Sequence, residues 1–206
     1  MSEYAFIHIP KNAGFSVKNG LHSGNVQVFD HGVLFNHIPK YLKQIIIIRE
    51  PADRFASAFF YVKHNYFKKT KYSDPEMFIQ GILRGEQETC RVLRPQPHFH
   101  VINGKIINTD WVFNPQIDWV DKPYKIFLHG DTLRQNFREI GLELPERKWN
   151  MSRKIDFTYS KASLEYLFRT YRRDYILYNK VKEGKHESYC YGDNGTGRKP
   201  PNRSTP

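Results

Sequence analysis

Apolar positions along the chain follow two periods: short apolar runs of strand length, and longer stretches with helical spacing. The clearest apolar run is the four consecutive isoleucines at 45–48, the pattern of a strand buried on both faces of a sheet. Strands are predicted at Tyr4–Ile9, Val26–Phe29, Gln44–Arg49 and Tyr124–His129. Helices are predicted at 12–21, 52–66, 131–140 and 160–179, and from Pro75 onward. The helix at 160–179 has one apolar stripe, made of Leu164, Leu167, Phe168, Tyr171, Tyr175 and Tyr178.

Strands that alternate with helices predict an α/β fold, here three αβα layers around a central, mostly parallel sheet. The chain has 206 residues, enough for one domain with a substantial core. We assign residues 1–190 to this domain and the Gly/Pro-rich, basic residues 191–206 to a disordered tail. The proline-containing segment Arg91–Trp119 is predicted to be a long irregular loop.

The formal net charge of +11 favours an anionic partner: a nucleic acid, an anionic sugar polymer or a nucleotide. No zinc-finger or RNP motif is present in the sequence, so we do not expect a nucleic acid. No apolar run approaches the roughly 20 residues of a membrane span, and the N-terminus enters a strand almost at once. We therefore expect a cytoplasmic or otherwise soluble protein without a secretory signal. The two cysteines, Cys90 and Cys190, are expected to be reduced thiols, although pairing stays open.

Two predicted strand–helix junctions carry groups suited to holding a phosphate. The first, Ile7–Val17, offers Lys11, Gly14 and Ser16 where backbone N–H groups and a positive helix end are exposed. The second, Ile45–Phe59, has Arg49 at the end of the strand and Ser57 eight residues later. Because parallel strands present their carboxyl ends at one edge of the sheet, both junctions are expected at that edge.

The first junction is not a nucleoside-triphosphate P-loop. Such a loop needs Lys after its second glycine and a hydroxyl group that binds magnesium. Here Lys11 precedes Gly14 and no G-K-[ST] follows. We therefore expect no metal cofactor, and a nucleotide kinase or other NTPase is disfavoured. The pair His98 and His100 lacks further ligands at suitable spacing, so a metal site is not expected there either.

The segments PKNAGFS and IIIIREPADRFASAF resemble the paired signatures of sulfotransferases that use 3′-phosphoadenosine 5′-phosphosulfate (PAPS). The resemblance is to the carbohydrate type, including the heparan sulfate 2-O-sulfotransferase-like enzymes (sulfotransferase family 2). The second motif, [IV]-R-[DEN]-P-x-x-R-x-x-S, matches fully. The first, PK-x-[AG]-[GS]-[TS]-[ST], matches except at Phe15, where a hydroxyl is usual. Weaker similarities at 94–96, at 150–152 and around Asp174 extend the resemblance over residues 5–180.

The resemblance implies a P-loop-like sulfotransferase fold and PAPS as the sulfuryl donor. Lys11 would stabilise charge on the leaving phosphate oxygen. The 5′ phosphate would be held by Asn12, Ala13, Gly14, Phe15, Ser16 and Val17. The 3′ phosphate would be bound by Arg49 and Ser57, the Arg supplying planar bidentate donors. Arg54 would either assist there or pair with a neighbouring carboxylate on its helix.

An acceptor hydroxyl also needs a base, and histidine has a pKa near the working pH. We predict His31, which follows the strand Val26–Phe29, because the resembling enzymes place their catalytic His in a similar loop. His37 is the main competitor, whereas His8, within the first predicted strand, is expected to be a core residue. The expected acceptor is a hydroxyl of a carbohydrate, and the basic surface favours an anionic glycan.

Other functions remain possible on the sequence alone. An NTPase-like enzyme predicts magnesium dependence, and a basic nucleic-acid-binding module predicts steeply salt-dependent binding to any polyanion. A non-catalytic relative that binds PAPS without turnover would be consistent with Phe15. Since eukaryotic relatives are mostly Golgi-anchored, a Golgi-lumenal location would apply if the sequence is a piece of a longer chain.

Overall fold

The computed structural model describes residues 2–12, 17, 21, 25–29, 38–65, 68–93, 98–102, 105–109, 112–120, 123–144 and 156–185. At residues 90–91, 98–102, 105–109 and 118 only the backbone is described. The predicted tail at 191–206, Cys190 and the segments 94–96 and 150–152 lie outside the described residues.

A four-stranded, all-parallel sheet forms the centre of the fold. Its strands are β1 (Tyr4–Ile7), β2 (Val26–Phe29), β3 (Lys43–Ile48) and β6 (Lys125–Leu128), in the spatial order β2-β1-β3-β6. Each predicted strand is present, with its ends within two residues of the predicted ones. The parallel sheet with helices confirms the predicted α/β architecture.

The isoleucines of β3 pack on both faces of the sheet, as their unbroken run predicts. All four are at most 1% exposed. Ile45 and Ile47 belong to an apolar cluster with Phe137, while Ile46 and Ile48 belong to another with Leu177. Alternate side chains of one strand therefore face two different sets of helical residues, because successive side chains in a strand point to opposite faces.

Six α-helices lie within the described residues: α1 (Pro51–Asn65), α2 (Pro75–Leu83), α3 (Gln87–Leu93), α4 (Leu133–Glu139), α5 (Lys161–Thr170) and α6 (Arg172–Lys182). Helix α1 begins directly after β3, and the Glu50 carboxylate caps it by accepting the Asp53 N–H at 2.7 Å. Pro51 occupies the first helical position, where a missing N–H costs nothing. Gly141, predicted to end α4, has the left-handed φ of +74° that this role requires.

An aromatic cluster joins α1 to α2 and α5. Phe55 and Phe59, predicted to pack from α1, are each 2% exposed. Their rings contact Phe78 of α2 at centroid distances of 6.2 and 5.2 Å. Phe55 also lies 6.2 Å from Tyr171, between α5 and α6. Helix α1, which carries Ser57, is thus held in place by aromatic packing on its buried face.

The predicted single helix at 160–179 is wrong, because the chain breaks at Tyr171. This residue has φ −112° and ψ 29° and separates α5 from α6. Its hydroxyl donates to the carbonyl of Phe113 at 2.7 Å, which draws the ring into the core. The predicted apolar stripe is not buried throughout, since Leu164 and Phe168 are 46% and 51% exposed.

The segment Arg91–Trp119 is also more regular than predicted. It contains an antiparallel hairpin of β4 (His98–Ile102) and β5 (Lys105–Thr109), followed by a 3₁₀ helix at Gln116–Trp119. His8, predicted to be a core residue of the first strand, instead follows β1 and is half-buried, and its backbone N–H donates to the carbonyl of Phe29. Among the described residues, no helix combines the length and apolarity that crossing a bilayer requires.

Candidate anion-binding site at the carboxyl edge of the sheet

The strand order reverses direction between β1 and β3, and we call the region beyond their carboxyl ends the crevice. The chain leaves β1 towards β2 on one side of it and leaves β3 towards β6 on the other. Ligands of open α/β sheets bind where neighbouring strands diverge in this way, beyond their carboxyl ends. Ile7 pairs with Ile46, so Lys11, four residues after Ile7, and Arg49, three after Ile46, leave the sheet at the same edge.

Lys11 has a left-handed backbone, with φ +67°. Residues other than glycine adopt this conformation at a cost of about 1 kcal/mol, and such strain is concentrated at functional turns. Its ammonium group lies over the ring of Tyr61, with Nζ 4.5 Å from the ring centroid. Burial, the largest cause, and the nearby positive charges of Arg49 and Arg54 together lower the pKa of Lys11 from 10.5 to about 8.

Arg49 is half-buried at the end of β3. Burial lowers its pKa, while the carboxylates of Asp53 and Glu50 act in the opposite direction. Its buried Nε has no hydrogen-bond partner among the described residues. A buried guanidinium N–H without a partner is costly, and an anion that accepted from it would remove that cost.

Arg54 is 2% exposed, so it does not lie on the surface of its helix, where a pair with a neighbouring carboxylate was predicted. Its Nε donates to the Pro10 carbonyl at 3.1 Å and its Nη1 donates to the Asn114 carbonyl at 2.9 Å. Its guanidinium also lies 5.7 Å from the ring of Trp119. Arg54 therefore ties the turn after β1 to the segment that precedes the 3₁₀ helix, and adds a third positive charge to the crevice.

A buried amide network joins the two strand ends. Asn12, 1% exposed, donates from Nδ2 to the Ile47 carbonyl at 2.8 Å and to Gln116 Oε1 at 2.6 Å. Gln116 Oε1 also accepts the Arg49 N–H at 2.8 Å, and Gln116 Nε2 donates to the Arg49 carbonyl at 2.8 Å. One side chain thus holds the turn after β1 and the end of β3 at a fixed separation.

The carboxylate of Asp174, on α6, orients Gln116 in turn. Its two oxygens accept the backbone N–H groups of Gln116 at 2.7 Å and Ile117 at 2.9 Å, at the start of the 3₁₀ helix. Burial raises the pKa of Asp174, although those two hydrogen bonds and the charge of Arg54 oppose the rise. The resemblance included the sequence around Asp174, and the structure gives this residue a supporting position behind the site.

Ser57 is half-buried on α1. Tyr61 follows it by one helical turn, so the two residues lie on the same face of the helix. Because the Lys11 ammonium rests on the Tyr61 ring, the turn after β1 reaches the face of α1 that carries Ser57. The structure thereby places Lys11 near Arg49, and Ser57 on the face of α1 that Lys11 reaches.

The remaining predicted site residues are either buried or outside the described part of the chain. Val17 is 1% exposed within an apolar cluster, and the Asn12 side chain is engaged in the network. Among the described residues, Asn12 Oδ1 is buried without a partner. The other predicted residues lie outside the described part of the chain: Ala13, Gly14, Phe15, Ser16, His31 and His37.

Sequence reasoning did not single out Gln116 or Tyr61. Gln116 is 67 residues from Arg49, and no local motif marks it. Tyr61 could have been found from its spacing, since it stands four residues after Ser57 on a predicted helix and therefore on the same helix face.

Comparison with models of protein families, with curated proteins and with solved structures found no match for this chain. Within the described ranges, no group of three or more His, Cys, Asp or Glu residues is arranged to hold a metal ion.

Proposed function

We propose that the chain is a PAPS-dependent sulfotransferase with a P-loop-like fold, which transfers the sulfuryl group of PAPS to a hydroxyl of a carbohydrate acceptor. One observation carries the proposal. Lys11 and Arg49 follow adjacent parallel strands at a divergence point, and the Asn12–Gln116–Arg49 hydrogen bonds fix the two strand ends relative to each other. A nucleotide with separate 5′ and 3′ phosphates suits two cationic groups held in this way.

Each residue then has a defined task. Arg49 and Ser57 bind the 3′ phosphate, while Lys11 and the backbone of residues 12–17 hold the 5′ phosphate. The acceptor oxygen attacks sulfur as the bond from sulfur to the 5′-phosphate oxygen breaks, and the electron pair stays on that oxygen. Lys11 balances the charge that develops there, and His31 takes the proton of the acceptor.

The positive charges of the crevice support this assignment further. Lys11 remains predominantly charged at pH 7 with a pKa of about 8, in spite of burial and of two neighbouring guanidinium groups. Assembling like charges in a crevice is unfavourable unless an anion binds among them. The chain as a whole carries a net charge of +11, which favours an anionic glycan as acceptor.

Isothermal titration calorimetry with 3′-phosphoadenosine 5′-phosphate, AMP and ATP, each with and without EDTA, tests the proposal. We expect tight binding that requires the 3′ phosphate and does not change with EDTA. Arg49→Ala should abolish the preference for the 3′-phosphorylated nucleotide. Arg138→Ala, at an exposed arginine of α4, is the matched control and should bind as the wild type does.

Two other outcomes would contradict the proposal. Magnesium-dependent binding of ATP in preference to the 3′-phosphorylated nucleotide would indicate an NTPase-like enzyme. Equal binding of all polyanions, with a steep loss of affinity as salt increases, would indicate a nucleic-acid-binding module.

A further inference from the structure

The contact between Lys11 and Tyr61 links the turn after β1 to helix α1, which carries Ser57. The Nζ of Lys11 lies 4.5 Å from the centroid of the Tyr61 ring, within the range of a cation–π interaction. Tyr61 is half-buried on α1, and Ser57 lies one turn before it on the same face. Such an interaction is strongest where water is excluded, and burial is the main influence on the pKa of Lys11.

Two positive groups face the same ammonium. Arg49 at the end of β3 and Arg54 on α1 both repel the charge of Lys11. Over the part of the chain that the structure describes, no carboxylate forms an ion pair with Lys11. The aromatic ring is therefore the group that attracts this ammonium and fixes the direction of a flexible side chain.

We propose that Tyr61 is a positioning residue for sulfuryl transfer, whose ring holds the Lys11 ammonium towards the leaving oxygen against the repulsion of Arg49 and Arg54. The inference rests on the proposed function. As sulfur forms its bond to the acceptor oxygen and loses its bond to the 5′-phosphate oxygen, the electron pair on the latter needs a charge already in place. Tyr61 acts only through Lys11, and no proton passes through it.

Replacement of the ring by an aliphatic side chain tests this role. Tyr61→Leu keeps water away from Lys11 but removes the aromatic face, whereas Tyr61→Phe keeps the face and removes the hydroxyl. The probe is 3′-phosphoadenosine 5′-phosphate, whose affinity is measured by calorimetry over a pH range that spans the Lys11 pKa of about 8.

We expect Tyr61→Leu to bind the probe about tenfold more weakly at neutral pH, the size of a partly desolvated cation–π interaction. The loss of affinity at alkaline pH should also begin at lower pH, because the ammonium loses its stabilising partner while it stays desolvated. Tyr61→Phe should restore both properties. Tyr41→Leu, at a tyrosine that is 77% exposed, should leave both unchanged.

An unchanged affinity and pH profile in Tyr61→Leu would overturn the proposal, and so would a Tyr61→Phe variant that behaves like Tyr61→Leu. Tyr61→Met, a second variant without a ring, replaces Tyr61→Leu if that protein does not fold. A wild type that does not bind the probe at any pH would refute the proposed function together with this role. A wild type that binds, alongside unaffected ring-free variants, would refute the role of Tyr61 alone.

Discussion

Gln116 binds both backbone groups of Arg49: its Oε1 accepts the N–H at 2.8 Å and its Nε2 donates to the carbonyl at 2.8 Å. The same Oε1 accepts from Asn12 Nδ2 at 2.6 Å. A side chain in the 3₁₀ helix therefore completes the hydrogen bonds of the backbone where β3 ends, and extends them to the turn after β1. The position of Arg49 in the crevice depends on a residue that cannot itself touch a ligand there, since Gln116 is 1% exposed.

Gln116→Leu should destabilise the protein by about 2 to 4 kcal/mol, because it leaves the Arg49 N–H and carbonyl buried without partners. The free energy of unfolding from urea titrations measures this loss. Affinity for 3′-phosphoadenosine 5′-phosphate should fall as well, since the guanidinium of Arg49 loses its fixed backbone. Gln135→Leu, at an exposed glutamine of α4, is the control and should change stability by less than about 0.5 kcal/mol.

Equal stability of the Gln116→Leu and Gln135→Leu proteins would show that the network contributes nothing. A Gln116→Leu protein that is destabilised but binds the nucleotide with full affinity would separate the stabilising role of the network from the site.

The buried charge of Lys11 should lower the free energy of unfolding. Folding lowers its pKa from the ordinary value of 10.5 to about 8, so the unfolded chain binds more protons between these values. Stability therefore rises with pH through this window, and the cost of the buried charge is fully present below about pH 8. Lys11→Met should be more stable than the wild type by about 1 to 2 kcal/mol at pH 7, part of the full cost being offset by the Tyr61 ring.

Urea titrations at pH 7 and near pH 10.5 measure this difference, which should disappear at the higher pH. Lys161→Met, at an exposed lysine of α5, should match the wild type at both values. A Lys11→Met protein that is less stable than the wild type at pH 7 would contradict the prediction. The same variant should not bind 3′-phosphoadenosine 5′-phosphate tightly, so that stability and function change in opposite directions.

The sheet and the chemical groups of the site could be predicted because their signals are local. Four isoleucines in a row indicate a strand buried on both faces, and Lys11 and Arg49 each stand within four residues of the carboxyl end of a strand. The hairpin was missed although Asn103 and Gly104 stand between its apolar runs, a known hairpin signal. The prolines at 95, 97 and 115 lie outside the hairpin, and they are the residues of this segment that indicate an irregular loop.

Other features depend on residues far apart in the chain and carry no local signal. Tyr171, where the helix breaks, donates a hydrogen bond to the carbonyl of Phe113, 58 residues away. Gln116 meets Asn12 across 104 residues. The local periodicity of the sequence cannot predict either contact, because tertiary packing overrides the local pattern at Tyr171 and at Gln116.

Gly81, in the interior of α2, should not tolerate alanine. A Cβ at this position would lie 2.7 Å from both Cε1 and the hydroxyl oxygen of Tyr72. Tyr72 cannot easily move, because it is 1% exposed and its hydroxyl donates to Glu86 at 2.5 Å. Gly81→Ala should therefore cost about 1 to 3 kcal/mol in the free energy of unfolding, more than the gain of about 1 kcal/mol from the helix propensity of alanine.

Gly130→Ala provides the comparison, since a Cβ there would meet no atom within 4 Å. Its free energy of unfolding should stay within about 0.5 kcal/mol of the wild type. If Gly81→Ala were as stable as Gly130→Ala, the Tyr72 ring would have room that the structure does not give it.

His31 is predicted to take the proton of the acceptor, and its substitution should separate binding from turnover. Removal of a general base typically lowers a rate by about 10²- to 10⁴-fold, whereas His31 makes no predicted contact with either phosphate. If the proposed function is right, His31→Ala should therefore lose at least about 100-fold in the rate at which the radiolabelled sulfuryl group of PAPS is transferred to an anionic glycan. Its affinity for 3′-phosphoadenosine 5′-phosphate should stay within about twofold of the wild type.

His37→Ala is the matched variant, since it removes the competing imidazole six residues later. We expect it to retain most of the transfer rate. Wild-type turnover should be lost in acid, because only a neutral imidazole can accept the proton. A His31→Ala enzyme that keeps substantial activity, with an inactive His37→Ala enzyme that still binds the nucleotide, would assign the base to His37.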